Sequence, residues 1–196
     1  MTHGDTVLIL GLGESGLAMA RWCARAGARV RVWDSRESPP QAEALARELP
    51  AAERLGGELK PEAIEGVTLV LKSPGLAPYD PRIAPLLQEA RVRDIPVQGE
   101  LDLFVRALAE LKNARGYAPR LLAVTGTNGK TTTAAMTALL AERAGKRVAL
   151  AGNVGPTLLD TLAAALAADK LPEGWVLELS RFPRAKSEKD QGDDAL

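Results

Sequence analysis

Leu121-Leu122-Ala123-Val124-Thr125-Gly126-Thr127-Asn128-Gly129-Lys130-Thr131-Thr132-Thr133 reads as a buried strand, a glycine turn and a helix that opens on Lys-Thr. Such a run cradles phosphate. Gly126 and Gly129 let backbone N–H groups turn inward around an anion, and the helix start adds its own unpaired N–H groups and positive dipole end. In that arrangement Lys130 meets the β- and γ-phosphates of ATP, and the Thr131 hydroxyl ligates Mg2+. Position 124 is valine, so the turn is the shorter Gly126-Thr127-Asn128-Gly129-Lys130-Thr131 and not the general G-x-x-x-x-G-K-[ST] spacing. A plain glycine turn is the alternative; the order strand, two glycines, Lys, Thr favours the nucleotide.

Downstream, an Ala-rich helix from Thr131 to Ala144 stops at Gly145, and a strand from Arg147 to Ala151 closes on Gly152-Asn153-Val154-Gly155. A helix from Thr157 to Ala168 and the strand Trp175 to Leu179 follow. Glu178 is an acid inside an apolar strand. Burying a carboxylate is costly unless it is paired or ligates a metal, so a place beside Mg2+ is weighed against a structural ion pair.

Upstream, a strand from Thr6 to Leu10 runs into Gly11-Leu12-Gly13-Glu14-Ser15-Gly16, then a helix to Ala26 that stops at Gly27, then an alternating strand from Ala28 to Trp33 ending on Asp34. Strand, G-x-G-x-x-G turn, helix, strand and an acid about twenty residues beyond the glycines form a dinucleotide-type βαβ unit. Taken alone this suggests NAD. A helix from Pro39 to Glu48 and a loop through Gly56-Gly57 lead to the strand Val67 to Leu71, which ends in Lys72-Ser73-Pro74-Gly75. Ligands sit beyond the carboxyl ends of strands in doubly wound sheets, so this turn belongs to the same crevice as the glycines, with a plain turn as the alternative. A helix from Pro81 to Ala90 and a short strand at Ile95 to Val97 close a first domain, residues 1–96. A connecting helix from Gly99 to Leu111 begins with Glu100 and Asp102, read as offsetting the helix dipole. The second domain spans residues 97–180.

Composition excludes other classes. Basic and acidic residues balance at 25 each, which gives no global pull toward nucleic acid or anionic membrane. The start carries no basic stretch before an apolar run, and no window approaches the roughly 18 apolar residues of a membrane helix, so a cytoplasmic chain is expected. Cys23, in a helical stretch, reads as a packed thiol, and His3 has no partners for a zinc site.

The runs Val124 to Thr132, Gly152 to Gly155 and Leu177-Glu178-Leu179-Ser180 resemble the motifs of the Mur ligases of peptidoglycan synthesis, a family whose wider membership includes folylpolyglutamate synthases. Gly11 to Gly16, Asp34-Ser35-Arg36, Ser73-Pro74-Gly75 and Gly99 to Phe104 look most like the D-glutamate-adding branch. The resemblance covers about Thr6 to Ser180. It implies an α/β protein in which a Rossmann-like UDP-binding domain precedes a truncated, P-loop-type ATP-binding domain. The first domain would then hold UDP-N-acetylmuramoyl-L-alanine in place of NAD. Gly13, Glu14 and Ser15 would sit at its diphosphate, Asp34, Ser35 and Arg36 on its uracil side, and Gly75 and Asn153 at the rest of the sugar-phosphate. Gly126, Thr127, Asn128, Gly129, Lys130, Thr131 and Thr132 would bind ATP, Lys130 as the catalytic group, with Thr131 and Glu178 at Mg2+. The implied reaction phosphorylates the substrate carboxylate and lets the amine of D-glutamate displace phosphate from the acyl phosphate. The expected protein is a cytoplasmic monomer with small-molecule partners, no nucleic acid and no membrane.

After Glu-Leu-Ser the family pattern continues Ser-Phe-Gln-Leu, whereas here Arg181-Phe182-Pro183-Arg184 and a polar run to Leu196 follow. Residues 181–196 are therefore expected to be a disordered tail unlike the family, from a shifted frame or a truncation. The resemblance implies further that a carbamylated lysine, a second-metal histidine and a closing domain have no counterpart, so activity of this chain is doubtful. Two other classes stay open: a nicotinamide-dependent oxidoreductase built on Gly11 to Gly16 and Asp34, and a non-catalytic module that binds UDP-sugar and ATP without turnover.

Overall fold

The structure is a computed structural model that describes residues 4–153 and 155–179; the expected tail lies outside the described residues. Two parallel sheets follow one another along the chain. The first has the order β3-β2-β1-β4-β5, from β1 (Thr6–Leu10), β2 (Arg29–Trp33), β3 (Glu53–Leu55), β4 (Leu69–Lys72) and β5 (Val97–Gln98). Its helices are α1 (Glu14–Arg25), α2 (Ala42–Glu48) and α3 (Ala84–Val92). β1 is central, and the chain crosses from its β2 side to its β4 side, so the crevice above Leu10 and Lys72, which are register partners, is the switch point, the place that doubly wound sheets offer to ligands. β3 is an addition to the sequence reading, which had a loop there.

The second sheet has the order β6-β8-β7, from β6 (Arg120–Val124), β7 (Val148–Gly152) and β8 (Gly174–Glu178), with α5 (Lys130–Arg143) and α6 (Leu158–Ala167) as crossovers. β8 is buried along its whole length, whereas β6 is an edge strand with Leu121 and Leu122 about half exposed. The sequence reading of β6 as buried is therefore corrected. An apolar run cannot by itself tell a central strand from an edge.

α4 (Glu100–Arg115) joins the two halves. Asp102 caps its start by accepting from Gly99 N–H at 2.7 Å, and Gly116 ends it in the left-handed conformation at φ 67°. α1, α4 and α6 share one apolar cluster with Val7 and Ile9 of the first sheet and Trp175 and Leu177 of the second. Phe104 of α4 meets Trp175 edge to face with centroids 4.9 Å apart, a geometry worth about 1 kcal/mol beyond burial. Arg21 of α1 adds a polar tie, pairing with Glu48 at 2.6 Å and Asp160 of α6 at 2.9 Å. Cys23 is fully buried, and desolvation pushes its thiol up to about 12, so it is the packed thiol that its sequence context suggested. No helix among the described residues is long and apolar enough to cross a membrane.

Candidate nucleotide sites and the cleft between them

In the first half, the glycine turn is closely packed at Gly11 and Gly16. Gly11 has φ 94°, donates to the Trp33 carbonyl at 2.7 Å and accepts from Ser73 Oγ at 3.1 Å. A Cβ on Gly16 would lie 2.0 Å from the Gly11 carbonyl oxygen, so the third glycine is what lets α1 start against the end of β1. Gly13 is the N-cap of α1 without a side-chain cap bond, and Glu14 and Ser15 occupy the first turn. No side chain caps that first turn, so its N–H groups are open to an acceptor from outside the helix.

Asp34 stands at the end of β2 as the fingerprint asks, but its carboxylate is already engaged. Oδ2 accepts from Leu12 N–H at 2.6 Å and from Arg36 Nη2 at 2.8 Å; Oδ1 accepts from Arg36 N–H and Nε, both at 2.9 Å. The Arg36 guanidinium, then the backbone donors, hold the carboxyl at about 2 against the cost of burial. Four donors fill its acceptor sites, so Asp34 braces the glycine turn and orients Arg36, where the sequence suggested a free acceptor. Ser35 Oγ accepts from Arg82 Nη1 at 2.8 Å, and Arg82 pairs through two nitrogens with Asp80.

Two residues at or near this crevice were given no role by the sequence reading. Arg82 belongs to no motif, and its only signal was its place in the loop after β4. Lys72 ends β4, and a cation closing an apolar strand at the ligand side was a signal that could have been used. Its half-buried Nζ donates to the Ser73 carbonyl at 3.2 Å and the Leu76 carbonyl at 2.6 Å, and burial lowers its pKa.

In the second half, Gly126 and Gly129 have φ 150° and 74°, so the turn uses conformations that side chains resist. Gly129 is the N-cap of α5 without a side-chain cap bond, which leaves the first N–H groups of the Lys130-Thr131-Thr132 turn to a ligand. Thr127 and Asn128 lie between the glycines, exposed. Lys130 Nζ bends back over the loop to the Gly126 carbonyl at 3.0 Å. Thr131 Oγ1 donates to Glu178 Oε1 at 3.1 Å, which joins the two residues read as metal ligands. Glu178 is 2% exposed and in register with Val124 of β6 and Gly152 of β7, at the top of the central strand. Gly152 is needed there, because a Cβ would lie 2.1 Å from the Glu178 carbonyl oxygen. That carbonyl accepts from Asn153 N–H at 2.8 Å. A hydroxyl and one carboxylate fit Mg2+, which is commonly held by one or two carboxylates with water and substrate phosphate completing its shell. No group of three His, Cys, Asp or Glu side chains able to hold a metal occurs among the described residues.

A cavity of about 540 Å3 lies between the halves and is lined by Ser15, Lys72 and Gly75 from one and Asn153 and Glu178 from the other. Lys72 is the one cation lining it among the described residues. A larger cavity, about 800 Å3, sits at the opposite ends of β6, β7 and β8 and touches none of the candidate residues.

Residues 5–99 match the Mur ligase MurD-like N-terminal domain, and residues 124–191 match the Mur ligase middle domain. The chain belongs to the Mur ligase family. The second match runs into the segment after Ser180 that the sequence reading set apart. Among its relatives, the UDP-N-acetylmuramoylalanine–D-glutamate ligase of Ralstonia nicotianae is 60% identical over 176 residues, 90% of this chain and 35% of that protein. The ligase of the same name from Albidiferax ferrireducens is 60% identical over 178 residues, with the same coverage. The chain thus spans about a third of the length of these relatives. A solved murein peptide ligase from Psychrobacter arcticus aligns with 90% of this chain and 37% of its own at 18% identity and a TM-score of 0.46.

Proposed function

We propose that this chain supplies the UDP-substrate site and the ATP phosphate site of a cytoplasmic, monomeric ligase that joins D-glutamate to UDP-N-acetylmuramoyl-L-alanine. The observation that carries the reading is the shared cleft: Ser15, Gly75 and Asn153 line it together with Glu178, and Glu178 holds Thr131 of the phosphate loop. In this reading the uridine end lies against Ser35 and Arg36, and the diphosphate meets the N–H groups at Gly13, Glu14 and Ser15. The acyl end reaches across to the phosphate loop.

A carboxylate is a poor electrophile. Its oxygen attacks the γ-phosphorus of ATP, ADP leaves with the bonding pair, and the resulting acyl phosphate is open to the D-glutamate amine, which expels inorganic phosphate and sheds a proton. The protein's part is to align these groups and neutralise charge. Lys130 swings from the Gly126 carbonyl to the β- and γ-phosphates, while the backbone of Gly126 to Thr132 encloses them. Thr131 and Glu178 would hold Mg2+, which supplies positive charge against the phosphate oxygens.

Calorimetric titration with UDP-N-acetylmuramoyl-L-alanine and, separately, with Mg-ATP tests the reading. Both are expected to bind. Lys130→Ala should weaken Mg-ATP by at least about tenfold, the loss of one charge-assisted contact, and change UDP-sugar binding far less, because the uridine diphosphate part is held by residues of the first sheet. Failure of the UDP-sugar to bind the folded wild-type chain would overturn the reading.

A further inference from the structure

Glu100 and Asp102 share the first turn of α4, and only Asp102 caps it. Glu100 turns inward and is 8% exposed. Its Oε1 accepts from Leu159 N–H in the first turn of α6 at 3.0 Å, and the Leu158 N–H and the Ser15 hydroxyl of α1 lie close enough to favour its charge. The first turns of three helices therefore meet at one buried carboxyl, whose charge the helix dipoles and these donors favour. Burial opposes them and pushes its pKa up.

A carboxylate costs free energy to bury, and a helix start that needs only a cap is served by Asp102. What Glu100 touches gives the reason for its place. Ser15 lies on the first-sheet side of the cleft. α6 emerges directly from the loop that carries Asn153 on the other side, and Thr157 already caps that helix by accepting from Asp160 N–H at 3.3 Å. Glu100 is thus attached to both walls of the cleft.

We propose that Glu100 is a positioning residue that fixes Ser15 and the start of α6 relative to each other, and thereby sets the cleft for a nucleoside diphosphate in preference to a monophosphate. The proposal rests on the reading of the cleft as the UDP-substrate site. Its readout is a ratio of affinities, because a variant that only weakens the fold lowers UDP and UMP binding alike. Titrations of the full chain with UDP and with UMP are expected to show a UDP preference that falls about tenfold in Glu100→Ala, the equivalent of one lost hydrogen bond. Glu100→Gln keeps an acceptor oxygen for these donors and should retain the preference within about threefold. An unchanged UDP-to-UMP ratio in Glu100→Ala, or equal loss in both variants, would overturn the proposal. A wild-type chain that binds neither nucleotide would instead overturn the reading of the cleft. In that case amide exchange decides on Glu100 itself: Glu100→Ala should speed exchange at Leu159 and in the first turn of α1 together while Glu100→Gln does not, and an effect confined to α6 would refute the tie.

Discussion

At Gly16 the main chain of α1 comes so close to the Gly11 carbonyl that a methyl group would sit at 2.0 Å from its oxygen. Nothing flexible stands there to give way, so Gly16→Ala must push α1 off β1. The expected cost is about 2 kcal/mol or more in chemical denaturation, together with loss of UDP binding. A variant as stable as the parent would show that the turn can relax. Asp34 makes the complementary case through charge. Its carboxyl sits at about 2 in the folded chain against 3.8 ordinarily, chiefly because of Arg36. A depressed pKa means stability that is complete above about pH 4 and lost as pH falls through about 2. Half the Arg36 side chain is in solvent, so about 1 to 2 kcal/mol is expected, less than the shift alone would give. Asp34→Asn should remove that acid-side loss from a stability-versus-pH profile, and an unaltered profile would mean that the pairing is too screened to matter.

Elements differ in how openly their sequences announced them. The two glycine turns, with their strands and following helices, were legible because glycine spacing and apolar runs are local properties. β3 was not, since Glu53-Arg54-Leu55 has no β-branched residue and is a strand only through its pairing with β2. Among site residues, Thr131 and Glu178 were legible as a pair through family motifs. Arg82 and the inward turn of Glu100 depend on segments far apart in the chain. The exposure of β6 was hidden for the same reason, and it has a measurable result. Amides of β8, bonded on both sides and buried throughout, are expected to be the slowest to exchange in the second sheet. Outward-facing amides of β6 should exchange faster by about tenfold or more. Equal protection of the two strands would mean that another copy or segment covers the edge.

On the scale of the whole molecule, two parallel-sheet halves are fastened through α1, α4 and α6 and open onto one cleft. The described residues bring one carboxylate, Glu178, to the phosphate loop hydroxyl, and the chain spans 35% of the length of its relative from Ralstonia nicotianae. The 196-residue polypeptide on its own is therefore expected to hold both ligands without joining D-glutamate to the UDP-sugar. Incubation with Mg-ATP, UDP-N-acetylmuramoyl-L-alanine and D-glutamate checks this, and phosphate release that depends on D-glutamate would contradict it.

Lys130 has one further consequence. With its ammonium group resting on the Gly126 carbonyl, the loop carries an internal cation that keeps the turn shaped before any nucleotide arrives. On the proposed reading an incoming phosphate would exchange one acceptor of that ammonium for another, so much of the ordering entropy would be met during folding and not during binding. The loop should therefore behave as a preorganised receptor.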